Sequence, residues 1–389
     1  MEKDEGPANF SLLGGPLYQL GCRTKLVRDG TNTTALGVAL GAFPWLVLVI
    51  LALVEGFGRA LFSMESIGAH VRLLLAVPLF FVCETLIDPQ FAGFVRDIVR
   101  SEVVPESERP ALKSLIARIA RWRDAWLPEA CLLLVAVSLG WATPAQSLFA
   151  YLPGHTAGSS AGIVGETSWT NHWYWMVCMP LFRFLLLRWL WRLALWCFFL
   201  WRVSKLALRL VPTHPDHAGG LGFLEFVHMG FAPLILAISA VQSASLAQDL
   251  AWGRMMFDAI YPNVAFVLIA DAVLFLGPLC IFSGKLWKCR IKGTRDYGTL
   301  GERYVKAFEK KWLGATPPEE PLLGTDDIQS LADLSTSVDI IRDMRTVPVS
   351  LDMLIYMAGA ALLPLLPLGL FKYPLAELLE KFLGMLTGL

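Results

Sequence analysis

The sequence predicts an all-α membrane protein, a polytopic helical bundle of about seven transmembrane helices with further amphipathic helices on the cytoplasmic side. The 389 residues are 55% hydrophobic and only 17% charged, whereas soluble domains carry about 25% charged residues. Several apolar runs approach or exceed the roughly 20 residues that a helix needs to cross a bilayer. We interpret residues 1–389 as one integral membrane domain with spans at about 35–55, 71–88, 128–149, 174–200, 223–246, 262–283 and 351–370.

The distribution of basic residues predicts the orientation of these spans. Segments 1–34, 89–126, 201–222 and 284–349 carry 25 of the 33 Lys and Arg residues, and the alternate segments carry 4. Because basic loops stay in the cytoplasm, we expect a cytoplasmic N-terminus and a C-terminus on the opposite side of the membrane. The opening MEKDEGPAN lacks the basic and apolar order of a signal peptide, so the first span is expected to act as the insertion signal. Zero net charge gives no indication of nucleic-acid binding.

The last predicted span is interrupted by prolines. The stretch AALLPLLPLGLFKYP contains Pro364, Pro367 and Pro374, each of which removes a helical hydrogen bond. This span is therefore expected to be kinked or re-entrant, and a re-entrant path would leave the C-terminus in the cytoplasm. The tail that follows is predicted to form a short interfacial helix.

Two cytoplasmic segments, 89–126 and 284–349, contain apolar residues at helical spacing. Residues 107–126 have apolar residues at helical spacing and basic residues at many of the other positions. Such a basic amphipathic helix favours binding to the anionic lipid headgroups of the bilayer. Residues 325–345 carry an apolar stripe that is expected to cover the bundle, the preceding helix 299–313, or another subunit. The third of these surfaces would make the protein a homo-oligomer, which is one of the alternatives that the sequence allows.

Ionisable residues inside spans are the first functional candidates, because a charge is costly within the bilayer. The candidates are Asp271, Arg183, Arg188, Glu129 and Glu84. One interpretation pairs Arg183 or Arg188 with Asp271 or Glu129 along a polar pathway for an ion, a proton or an anionic solute. The other is a structural ion pair that fixes helix register.

The stretch PTHPDHAGGLGF, 212–223, is the second candidate. His-Pro-Asp-His suits a type I turn that brings its first and fourth residues together. A divalent metal site could then form from His214, Asp216, His217, Glu225 and His228. The alternative is a capped turn with hydrogen-bonded histidines. The glycines match neither a Walker A loop nor a dinucleotide fingerprint, and no cofactor is firmly implied.

PTHPDHAGGLGFL (212–224) and GTDDIQSLADLSTSVDIIRDMRTVP (324–348) together resemble segments of a group of bacterial multi-span inner-membrane proteins usually labelled hypothetical. The stretch YGTLGERYVKAFEKKWL (297–313) is similar to the same group. The resemblance implies a bacterial origin and the polytopic class, and it brings no activity, cofactor or mapped site.

Three functions follow from these patterns. The first is a channel or transporter-like protein for an ion or small solute. The second is a membrane enzyme with a His/Asp site at the cytoplasmic face, and the third is a membrane sensor or assembly scaffold.

Overall fold

A computed structural model describes residues 10–27, 30–141, 168–314 and 326–372, and its elements are helices joined by turns. The all-α fold class is thereby confirmed. The principal helices are α1 (Pro16–Arg23), α2 (Thr34–Val54), α3 (Ile67–Arg100), α4 (Arg109–Asp124), α5 (Trp126–Trp141), α6 (Trp169–Val203), α7 (Phe223–Ala251), α8 (Phe257–Trp312), α9 (Asp326–Arg342) and α10 (Leu351–Phe371). Short helical turns lie at Gly58–Leu61, Met64–Ser66 and Glu106–Glu108.

Six of these helices, among the residues described, are long and apolar enough to cross a membrane: α2, α3, α6, α7, α8 and α10. The chain is therefore a membrane protein. The predicted third span corresponds to the shorter apolar helix α5, and its last residues, 142–149, lie outside the described residues. The predicted linker 314–324 and the tail after Lys372 lie almost entirely outside them as well.

The contacts between loops divide the bundle into two ends. At the first, which we call the basic end, Arg209 pairs with Glu102 at 3.5 Å and Lys285 donates to the Leu206 carbonyl. At the opposite end, Glu55 accepts from the Thr170 hydroxyl at 2.6 Å. The segments rich in Lys and Arg thus meet at one end, as the alternation of charge requires.

Prolines change the helix geometry at several points within the bundle. A π-helical turn, Val71–Ala76, precedes Pro78 in α3, and a second, Tyr174–Cys178, precedes Pro180 in α6. In α10 an α-helix over Leu351–Leu362 gives way to a 3₁₀-helix over Leu363–Phe371, where Pro364 and Pro367 lie. Proline lacks the N–H that an α-helix requires, so the spacing of the backbone hydrogen bonds changes at these points. The kinked or re-entrant path of the last span stays a prediction.

The segment 284–349 differs from its prediction in one respect. The helix expected over 299–313 begins instead at Ser283 and runs unbroken to Trp312 as the second half of α8. Residues 284–312 contain no proline to stop it, and Gly293 allows the helix to pack closely against Pro212. Helix α9 contacts this helix, one of the three surfaces expected for it: Tyr304 of α8 donates to the Asp327 carbonyl at 2.9 Å. Of the apolar stripe, Ile341 and Met344 are buried and Ile328 is 42% exposed.

An aromatic core connects the basic end to the N-terminal segment 10–17. Phe10 stacks on Phe199 with ring centroids 4.4 Å apart and meets Phe91 edge-on at 6.1 Å. Trp196, fully buried, packs against the same rings. Helix α4, which the pattern of 107–126 predicted, packs against α6, where Trp122 meets Phe198 at 5.1 Å. The N-terminal segment is therefore part of the folded bundle.

Candidate functional site

The largest buried charge cluster centres on Arg188 of α6. Its Nη1 donates to Glu84 Oε1 at 2.5 Å and its Nε to Glu129 Oε1 at 3.0 Å. Arg192, one helical turn further on, reaches the same Glu84 oxygen at 2.5 Å. All four side chains are at least nine-tenths buried. Two carboxylates thus neutralise two guanidinium groups, and we call these four residues the neutralised cluster.

The N-terminal segment closes this cluster. Leu17 N donates to Glu129 Oε2 at 3.1 Å, and the Gly14 carbonyl accepts from Arg188 Nη2 at 3.3 Å. Asp88 accepts from the Ser11 hydroxyl at 2.7 Å. A cavity of about 10 Å³ lies between the segment and the cluster. Beside it, Glu84 Oε2 and Arg192 Nη2 have no hydrogen-bond partner in the described part of the chain. One water molecule fits there and could bridge the two groups.

Arg183 and Asp271 do not join the neutralised cluster, in contrast to the expected pairing. Arg183 is five residues from Arg188 and so projects about 140° away around the helix. Asp271, on α8, lies in a cavity shared with α7 and α10. Of the predicted pairs, the structure brings together only Arg188 and Glu129.

Arg183 instead has Tyr174 and Arg72 of α3 among its ionisable neighbours. Arg72 is 4% exposed and donates to the Tyr174 hydroxyl at 2.7 Å and to the Ser245 hydroxyl at 3.2 Å. Arg183 is 9% exposed, and neither of its terminal nitrogens has a hydrogen-bond partner. Among the described residues, neither arginine forms an ion pair. We call Arg72 and Arg183 the open pair.

The π-helical turns bring this site together. Arg72 lies in the turn Val71–Ala76 and Tyr174 in the turn Tyr174–Cys178. Such turns occur often at functional sites. Gly68 leaves the space that Arg72 Nη1 and Gln248 Oε1 occupy, since a Cβ there would lie 2.9 Å and 2.5 Å from these atoms. Polar groups of α3, α6 and α7 therefore converge inside the bundle near its opposite end.

The predicted turn in PTHPDHAGGLGF forms, and its aspartate organises the loop. His217 N donates to the His214 carbonyl at 3.1 Å, which closes the turn. Asp216 then accepts from the backbone N–H groups of Ala218 at 2.8 Å, Gly220 at 3.0 Å and Gly222 at 2.8 Å. A Cβ on Gly222 would collide with the Asp216 side chain. The cradle of N–H groups that could have held a phosphate is filled by the chain's own carboxylate.

Electrostatics favour the ionised form of Asp216. Burial raises the pKa of its carboxyl, but the N–H bonds from Ala218, Gly222 and Gly220 and the adjacent His214 hold it below its ordinary value. His214 Nδ1 lies 2.8 Å from Asp216 Oδ1. Asp216 therefore acts as an internal anion that fixes the corner.

Arg345, just beyond α9, holds the corner against the rest of the basic end. Its backbone N donates to the His217 carbonyl at 2.7 Å and its Nη2 to the Asp216 carbonyl at 2.8 Å. Its Nη1 pairs with Glu225. The two stretches 212–224 and 324–348, which the sequence singles out together, thus meet in space.

The residues of the predicted metal site have different partners. Glu225 is held by Arg345, and His228 is fully buried, where it contacts the Phe275 carbonyl at 2.7 Å and accepts from Trp196 Nε1 at 3.2 Å. Of the five predicted ligands, only His214 and Asp216 are joined through their side chains. No group of three or more His, Cys, Asp or Glu residues that could hold a metal occurs within the described part of the chain, and the divalent metal stays a prediction.

Sequence reasoning missed Arg72, Tyr174 and Arg345. Arg72 falls at the edge of a predicted span, and Arg345 follows an amphipathic helix, so neither pattern signals a site. A usable signal was the proline six residues after Arg72 and Tyr174, since proline often widens a helix turn.

Comparison with known proteins gives no match to a family model, to a curated protein or to a solved structure. The resemblance of segments 212–224, 297–313 and 324–348 to a bacterial membrane group stays a prediction.

Proposed function

We propose that this membrane protein is a channel or transporter for a small anion, and that the open pair, Arg72 and Arg183, binds that anion within the bundle. The observation that carries the proposal is Arg183, whose guanidinium is nine-tenths buried with both terminal nitrogens unpartnered. A buried charge costs several kcal/mol unless it is paired. An anion between the two arginines would supply the missing charge and acceptors.

The neighbouring groups suit an anion rather than a cation. The Tyr174 hydroxyl accepts from Arg72 and donates to no described residue, so its proton can go to an anion, whereas the Ser245 hydroxyl accepts from Arg72 and donates to the Val241 carbonyl at 2.9 Å. Guanidinium and hydroxyl donors are the usual ligands of oxyanions and halides. A purely structural role would leave the arginines satisfied by their own chain, as Arg188 is.

The alternative of an enzyme at the basic end has weaker support. Asp216 and Glu225 are engaged by backbone N–H groups and by Arg345, so neither carboxylate is available as a base without breaking the corner. The scaffold alternative uses the helices 107–126 and 325–345 as docking surfaces. Both pack against the bundle, where Trp122 meets Phe198 and Tyr304 donates to the Asp327 carbonyl, and Ile328 of the second helix is 42% exposed.

Flux in reconstituted vesicles tests the proposal. Vesicles loaded with potassium chloride, with valinomycin to balance charge, should release chloride faster with the protein than without it. Arg183→Gln and Arg72→Gln should each slow release about tenfold or more, because a hydrogen bond to a charged group contributes about 1.5–3 kcal/mol and 1.4 kcal/mol is tenfold. Nitrate, acetate and phosphate in the same assay define which anions pass.

The matched control is Arg295→Gln, an exposed arginine on α8, which should leave release unchanged. Chloride release that persists in Arg183→Gln would overturn the proposal, and so would vesicles that, without valinomycin, pass potassium and no anion.

We also propose the bacterial inner membrane as the location, with the basic end cytoplasmic and the C-terminus periplasmic. The bacterial location is supported by the resemblance of segments 212–224, 297–313 and 324–348 to a bacterial membrane group. The orientation is supported by the alternation of Lys and Arg between loops together with the positive-inside rule. In variants that carry a single cysteine, a membrane-impermeant maleimide added to intact spheroplasts should label Arg59→Cys, at an exposed position of the opposite end, and should spare the variant that keeps only Cys22, which is also exposed. The reverse labelling would invert the orientation.

A further inference from the structure

A second intramembrane site lies apart from the arginines, in a cavity of about 280 Å³ between α7, α8 and α10. Its walls are almost entirely apolar, formed by Ile235, Leu268, Leu276, Leu354 and Met357 together with alanines. Within the described part of the chain, Asp271 is the only charged residue that lines it. The Asp271 carboxyl is 9% exposed, and its Oδ2 has no hydrogen-bond partner among the described residues.

We propose that this cavity binds a small, mainly apolar molecule that carries a single amine cation, with the ammonium group on Asp271. Ligand pockets typically combine apolar walls with a few polar groups that fix orientation, and here the polar group is a lone carboxylate. An ammonium donates hydrogen bonds and cancels the charge. The apolar remainder of the ligand would make van der Waals contacts with the side chains that line the cavity.

The rim of the cavity points to where such a ligand comes from. Leu354 and Leu362, at the cavity edge, are 39% and 42% exposed on the outer face of the bundle. In a membrane that face meets the acyl chains, in which an amphipathic amine dissolves. An acyl chain alone could fill the apolar walls but would leave the Asp271 carboxylate without a partner. The site is independent of the open pair, so the two proposals can fail separately.

Calorimetric titration of the protein in phosphatidylcholine nanodiscs tests this site with two probes of equal length, 4-phenylbutylamine and 4-phenylbutan-1-ol. The amine should bind one per chain and about tenfold or more tighter than the alcohol, since charge-assisted hydrogen bonds are roughly twice as strong as neutral ones. In Asp271→Asn the affinity for the amine should fall to that for the alcohol, and the affinity for the alcohol should not change.

Two further variants make the result decisive. Ala358→Trp, which fills the cavity, should abolish binding of both probes, whereas Asp296→Asn, at an exposed carboxylate on α8, should change neither. Equal affinity of the wild-type protein for amine and alcohol would overturn the proposal. So would an amine preference that survives in Asp271→Asn, or Ala358→Cys chains that crosslink to each other across a cavity closed by a second copy.

Discussion

The bundle contains two pairs of buried arginines that differ in how their charge is met. Arg188 and Arg192 share Glu84, and Glu129 adds a second carboxylate. Arg72 and Arg183 have hydroxyl partners or none. The same residue type at similar burial therefore serves two purposes. The first pair joins helices, and the second keeps an uncompensated positive charge inside the membrane, which is costly unless something binds it.

Stability measurements test most directly whether the two arginine pairs differ in this way. Glu84→Gln removes the carboxylate that both Arg188 and Arg192 contact, and should lower the free energy of unfolding by about 3–5 kcal/mol, as breaking a buried pair does. Arg183→Gln removes an uncompensated charge and should raise stability by about 0.5–2 kcal/mol, as relieving a strained functional site often does. Thermal unfolding in detergent, followed by tryptophan fluorescence without added anion, measures both.

The prediction is that the two substitutions change the free energy of unfolding in opposite directions. If both substitutions lower the unfolding midpoint, Arg183 is a structural residue and the distinction between the two pairs fails. Added chloride or phosphate sharpens the result, because an anion that binds only the folded state raises its stability by mass action. That increase should be present in the wild-type protein and absent in Arg183→Gln.

A smaller effect is expected at the corner of the basic end, where Asp216 is a charge satisfied outside the membrane. Asp216→Asn should lower stability at neutral pH by about 1–3 kcal/mol, because backbone N–H groups lose their charged acceptor. The pKa of Asp216 is held below its ordinary value. Its contribution is therefore complete above about pH 3.9, the ordinary value for aspartate, and is lost as the pH falls through the folded pKa.

The wild-type protein should accordingly lose its advantage over Asp216→Asn when both are unfolded at pH values below about 4. Asp296→Asn, at an exposed position, provides the baseline for general acid effects. A constant difference between wild type and Asp216→Asn from pH 7 to pH 3 would contradict the assignment.

Much of this architecture could be predicted from local patterns. Hydropathy predicted most of the long spans, periodicity predicted α4 and α9, and the His-Pro-Asp-His sequence predicted its turn. These features depend on residues close together in the chain. The partners of each charge could not be predicted, because they depend on how helices rotate against each other. Glu84 and Glu129 were both candidates, yet only the packing of α3 and α5 against α6 brings both to Arg188.

The open pair illustrates the same limit. Arg72 and Tyr174 are 102 positions apart, and each reaches the other from a π-helical turn that simple 3.6-residue periodicity does not anticipate. The N-terminal segment shows no periodicity at all. Its burial follows from Phe10, Ser11 and Leu17 finding partners on α3, α5 and α6.

That segment imposes an order on biosynthesis. Phe10 leaves the ribosome long before Phe199, the ring on which it stacks, and Gly14 long before Arg188, to which it is bonded. During translation residues 10–17 must therefore stay on one side of the membrane until α3, α5 and α6 have been made. This segment is synthesised well before most of the helices it packs against, and it reaches its final place only when α6 is complete.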